Sequence, residues 1–216
     1  MTMSMPMTMP MTTTYTPRRP ARSERIGLRG RPDAPLLDLH VLRWGSTPGS
    51  TLPPIVLLHG WMDVGASFQF LVDALDEAFV AGRTLIALDW RGFGETRSAP
   101  VDSYWFPDYL ADLDALLDRI SPDAPVDLIG HSMGANVTML YAGVRPQRVR
   151  RAVNLEGFGM PPTRAVQAPD RMARWLDELR EPATLRPYDD LAGVARRLRA
   201  NNPRLAPERA LWLASQ

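Results

Sequence analysis

Two hydrophobic rhythms alternate along the chain. Short continuous apolar runs, Ile55-Val56-Leu57-Leu58, Thr84-Leu85-Ile86-Ala87-Leu88 and Val126-Asp127-Leu128-Ile129, have the pattern of strands buried on both faces. Between them lie stretches with helical spacing. Ser67 to Phe79 puts Phe68, Leu71, Leu75 and Phe79 on one stripe. Tyr104 to Ile120 predicts an amphipathic helix, with Tyr109, Leu113, Leu116, Leu117 and Ile120 inward and Asp108, Asp112, Asp114 and Asp118 outward. A third helix runs from Val137 to about Arg145, where Pro146 stops it. A further short strand, Ala152 to Leu155, follows within Arg150 to Leu155.

Two strands are predicted ahead of these, Glu24 to Arg29 and Leu37 to Trp44. In the second, Leu37, Leu39 and Val41 alternate with Asp38, His40 and Leu42, the pattern of a half-exposed antiparallel strand. His40 falls on the outward phase and is expected on the sheet surface. The turn residues Gly45 to Ser50 close this hairpin-like opening. Strands alternating with helices predict a right-handed, mostly parallel α/β sheet flanked by helices. From Pro161 the strands cease. Helical segments near Asp170 to Arg180, Asp189 to Asn201 and Pro207 to Ala214 follow, punctuated by Pro182, Pro187 and Pro203. The organisation expected is a disordered leader over residues 1–22, an α/β core over 23–160 and a helical segment over 161–216.

Composition narrows the function classes. With 216 residues and 45% hydrophobic content, one domain with a sizeable core is the expectation. The formal charge of +1 implies neither a nucleic-acid nor an anionic-membrane partner. Zero cysteines exclude disulfides and thiolate metal sites. The Met/Thr/Pro-rich start lacks the charged-then-apolar order of a secretory signal, and no apolar run approaches the roughly 18 residues of a membrane span. A cytoplasmic protein acting on a small molecule, with no cofactor and no metal, is the expectation.

The chemistry centres on Gly130-His131-Ser132-Met133-Gly134, set between an apolar strand and an apolar helix. Strand, sharp turn and helix with a serine at the apex form the G-x-S-x-G nucleophile elbow. Larger residues two positions either side of the serine would collide in so tight a turn. Ser132 is the candidate nucleophile, and the Met133 N–H is a candidate oxyanion donor.

Four landmarks together resemble the α/β-hydrolase superfamily, in its cap-bearing serine-hydrolase branch. They are Leu58-His59-Gly60-Trp61, Asp89-Trp90-Arg91-Gly92-Phe93-Gly94, the elbow itself and Leu155-Glu156. The match covers roughly residues 24 to 162, and the later helices resemble the cap. The resemblance implies an α/β-hydrolase fold, an oxyanion hole built by the Trp61 and Met133 N–H groups, and Glu156 as the triad acid. A solvated loop glutamate is the alternative for Glu156. Asp89 and Arg91 are expected to be structural, and Thr96 replaces the serine more common in the family. Serine at the elbow disfavours dehalogenase and epoxide-hydrolase chemistry, which uses aspartate there.

The family order is nucleophile, acid, then histidine, yet His40, His59 and His131 all precede Ser132. No strands resembling the family's last two follow the helical segment. The chain is therefore expected to be the front part of a hydrolase, truncated and impaired. The reading is an esterase-like serine hydrolase cleaving an ester, thioester or related carbonyl substrate through an acyl-enzyme. The alternative is a non-catalytic α/β-hydrolase-like protein that binds a ligand or partner.

Overall fold

A computed structural model describes residues 15–29, 37–45, 52–99, 104–159, 162–180 and 187–216. Among the described residues, six strands form one sheet in the order β1-β2-β4-β3-β5-β6. They are β1 Arg22–Leu28, β2 Leu37–Gly45, β3 Ile55–Leu58, β4 Thr84–Leu88, β5 Val126–His131 and β6 Val149–Leu155. β2 pairs antiparallel with both β1 and β4, whereas the pairs β3–β4, β3–β5 and β5–β6 are parallel. This is the mostly parallel α/β sheet that the alternating runs predict.

The period of two sorts the buried strand residues into two cores. Val56, Leu58, Ile86 and Leu88 face helices α3 (Phe106–Ile120) and α4 (Met133–Val144), packing with Leu113, Leu117, Val137 and Tyr141. Ile55, Leu57, Leu85 and Ala87 face the opposite side, against Phe68, Val72 and Val80. After β4 the chain crosses to the other side of β3 to build β5. In open α/β sheets the crevice at such a crossing, outside the carboxyl ends of the strands, receives ligands. The turns after β3 and β5 lie there.

Several expectations need correction. The helix expected over Ser67 to Phe79 is interrupted. A 3-10 turn Gly65–Phe68 leads into α1 (Gln69–Ala74), and α2 (Glu77–Val80) follows only after Leu75 and Asp76 adopt extended backbone. Phe79, expected on the buried stripe, is 40% exposed as a result. Asp112, assigned to the outer face of α3, is buried because its carboxylate receives two hydrogen bonds from Arg91. His40 is also buried rather than on the surface, held by a buried carboxylate.

The leader boundary at residue 22 cuts β1, which begins there. The Arg18 and Arg19 N–H groups donate to the Asp73 carboxylate at 2.8 Å, so the end of the expected leader is folded. Residues 1–14 of that leader, the turn at 46–50, Met160-Pro161 and Pro182 lie outside the described residues.

The described residues fall into two compact units, one within 17–185 and one that joins Tyr15 and Thr16 to 187–216. The sheet unit includes α5 (Ala168–Glu178), whose Trp175 ring meets Trp105 edge-on. The other contains α6 (Leu191–Asn201) and α7 (Pro207–Ala214), with Asp190 capping α6 by accepting from the Gly193 N–H.

Candidate active site

Ser132 sits between β5 and α4 with φ 50° and ψ −113°, a backbone conformation disfavoured for any residue with a side chain. Its N–H donates to the Leu155 carbonyl at 2.9 Å, which ties the turn to the end of β6. The glycines are sterically required. A Cβ on Gly130 would lie 2.4 Å from the Gly134 carbonyl oxygen, and one on Gly134 would lie 2.1 Å from that of Leu58. Both contacts are to backbone, so no rotamer relieves them. The elbow thus seats α4 directly against β3.

The turn after β3 approaches from the other side. A Cβ on Gly60 would lie 3.2 Å from the Ser132 Cβ and 3.1 Å from the His131 Nδ1. Both ends of this turn are anchored. The His59 Nδ1–H donates to the Gly60 carbonyl at 2.7 Å, while its Nε2 accepts the Trp90 N–H at 2.9 Å. The Gly65 N–H donates to the Asp89 carboxylate at 2.7 Å. Between the anchors, Trp61 is exposed and stands edge-on to Phe93, with ring centroids 5.2 Å apart.

Glu156 follows β6 with φ 62° and is exposed. Its neighbours fix the turn. The Asn154 side chain both donates to and accepts from Gly157, and the Gly159 N–H donates to the Asn136 Oδ1 of α4 at 2.9 Å. Glu156 Oε2 lies 3.7 Å from His131 Nε2, and Asp63 Oδ2 lies 4.0 Å from His131 Nδ1. The fold therefore brings Ser132, Met133, Gly60, Trp61 and Glu156 to one end of the sheet. It adds Asp63, a lone carboxylate in a turn that carries no periodic signal in the sequence.

The histidines are each accounted for. His59 is fully buried, and burial holds its pKa below the ordinary histidine value. With both ring nitrogens engaged, it is a scaffold residue. His40 bonds Asp89 and Ser23. His131 stands between the carboxylates of Asp63 and Glu156. Among the described residues, no group of three or more carboxylate or imidazole side chains is arranged to hold a metal ion. None of their helices is long and apolar enough to cross a membrane.

Comparison with known proteins gives the family of this fold. A family model described as alpha/beta hydrolase fold matches residues 53–207. A serine hydrolase-like protein of Danio rerio is 27% identical over 210 residues, covering 92% of this chain and 58% of that protein. A probable serine hydrolase of Drosophila melanogaster is 33% identical over 66% of this chain and 41% of its own length. Among solved structures, the thioesterase domain from the curacin biosynthetic pathway superposes with a TM-score of 0.71 at 28% identity. The match covers 90% of this chain and 65% of that domain. The chain spans less than two thirds of the length of each of these.

Proposed function

From the premise that this chain belongs to the alpha/beta hydrolase fold family, we propose that it is a serine hydrolase acting on an ester or thioester through an acyl-enzyme. The observation that carries this reading is the strained φ of Ser132, locked between Gly130 and Gly134 with Gly60 against its Cβ. A serine in a plain turn requires none of these. Ser132 Oγ attacks the substrate carbonyl, and the Met133 and Trp61 N–H groups receive the developing oxyanion. A single such donor contributes roughly 3 kcal/mol to the transition state. Glu156 supplies the acid that orients a histidine base. The serine hydrolase relatives and the thioesterase neighbour support the reaction class.

The three histidines of the chain bear on the rate. His40 and His59 are committed to hydrogen bonds elsewhere and His131 stands between Asp63 and Glu156, so among the described residues no imidazole is hydrogen-bonded to Ser132 and its turnover is slow. The enzyme acts in the cytoplasm on a small apolar substrate, which meets the exposed Trp61 ring on entry.

A fluorophosphonate probe tests the assignment, because it reacts with activated serines. The expected result is an adduct mapped to Ser132, slow to form and absent from Ser132→Ala. A folded chain that binds acyl ligands equally well in both forms, with no adduct at Ser132, would favour the non-catalytic binding protein.

A further inference from the structure

A second serine, far along the sheet from the elbow in strand order, stands in a hydrogen-bonded series of its own. Ser23 of β1 is opposite Leu42 of β2 and therefore diagonal to His40, within reach on the same face. Its Oγ lies 2.9 Å from His40 Nε2. The other ring nitrogen, His40 Nδ1, lies 2.8 Å from Asp89 Oδ2. Asp89 and His40 are buried, whereas Ser23 is exposed.

The remaining partners fix the protons. Asp89 Oδ2 also accepts the Glu95 N–H at 2.9 Å, and Oδ1 accepts the Gly65 N–H. Burial alone would raise the Asp89 pKa, but these bonds and the one from His40 outweigh it and hold the carboxyl below its ordinary value. An ionised Asp89 accepts a hydrogen bond from His40 Nδ1–H, so Nε2 carries the lone pair aimed at the Ser23 hydroxyl. Buried carboxylate, oriented imidazole and accessible hydroxyl stand in the order that activates a serine for acyl transfer. The His40–Asp89 pair by itself would satisfy the buried groups, and water would satisfy an exposed serine.

We propose that Ser23, His40 and Asp89 form a second reactive-serine site that accepts acyl groups from activated donors, namely aryl esters and thioesters. Ser23 Oγ forms a bond to the acyl carbon as its proton passes to His40 Nε2. The bond to the leaving group then breaks, and the leaving group departs with that proton. Asp89 stabilises the intervening imidazolium. The product is acyl-Ser23 plus a free phenol or thiol, and water activated by the same Nε2 releases the acid. Because Ser23 lies on the edge strand, in the open, the site is unselective for acyl shape.

The test uses the full chain carrying Ser132→Ala, which keeps this proposal separate from the elbow assignment. The protein is treated with p-nitrophenyl acetate, and acetyl groups are mapped by peptide mass spectrometry. General-base assistance predicts acetylation at Ser23 on the order of 100-fold faster than at the exposed Ser215. Adding Ser23→Ala removes that adduct, and His40→Gln slows it by a similar factor. Because Ser23 is exposed, its replacement leaves the melting temperature unchanged and serves as the control if His40→Gln unfolds. Acetylation spread evenly over surface hydroxyls, or absent from Ser23 in the folded protein, would overturn the proposal.

Discussion

His59 makes two hydrogen bonds that only its neutral form can make together. Nδ1–H donates to the Gly60 carbonyl, and unprotonated Nε2 accepts the Trp90 N–H. Protonation would turn Nε2 into a second donor facing a donor, inside a core with no water exposure. Burial lowers the folded-state pKa below 6.5, so the unfolded chain binds a proton that the folded chain does not. Stability therefore falls as pH drops through about 6.5 and keeps falling until the folded-state value is reached. The slope from this residue reaches at most about 1.4 kcal/mol per pH unit. Urea titrations at pH values on either side of 6.5 should show this loss in the parent and a flatter dependence in His59→Gln. Parallel curves in the two proteins would assign the effect to other groups. Because His59 anchors the turn carrying Trp61, the same protonation disturbs the turn proposed to receive the oxyanion.

At the scale of elements, the junction of β5 and α4 is set by contacts between backbones. Gly134→Ala drives a Cβ to 2.1 Å from the Leu58 carbonyl oxygen, and neither strand nor helix can yield without disturbing the other. The expected cost is about 2–3 kcal/mol, measured by urea unfolding. Gly143 lies in the same helix, exposed, with nothing within 4 Å of its added Cβ. Gly143→Ala should therefore stabilise the protein by about 0.5–1 kcal/mol. Opposite signs from one substitution type in one helix would separate packing from helix propensity. Equal effects would remove the steric account of the elbow.

At the scale of the molecule, β6 is an edge strand of the sheet among the described residues, and its Val153 and Leu155 are exposed. Met139, Leu140 and Val144 of α4 are exposed as well. An open strand edge beside apolar residues is a template for pairing between chains. Sedimentation velocity across a concentration series should show reversible association of the 216-residue chain, and Val153→Lys should weaken it. A strictly monomeric parent would show that the edge is protected.

Much of this architecture is legible in the chain because it rests on local pattern. Continuous apolar runs mark strands buried on both faces, and glycines two positions either side of Ser132 mark a turn too tight for side chains. Neither depends on a distant partner. The resemblance to the alpha/beta hydrolase family is likewise carried by residues at consecutive strand ends, each read within a few positions. What tertiary structure alone decided are the polar pairings. Asp112 is on the outer face by spacing and buried in fact, because Arg91, 21 residues away in sequence, supplies its counter-charge. His40 is on the polar phase of β2 and is buried because Asp89 lies beneath it, 49 residues on. A buried ionisable group is tolerated only where a partner satisfies it, and that partner is chosen by the crossing of strands rather than by sequence neighbours. The Ser23–His40–Asp89 series follows from the same cause. Its members are separate polar residues in the sequence, and only the pairing of β1 with β2 and of β2 with β4 brings them into hydrogen-bond distance.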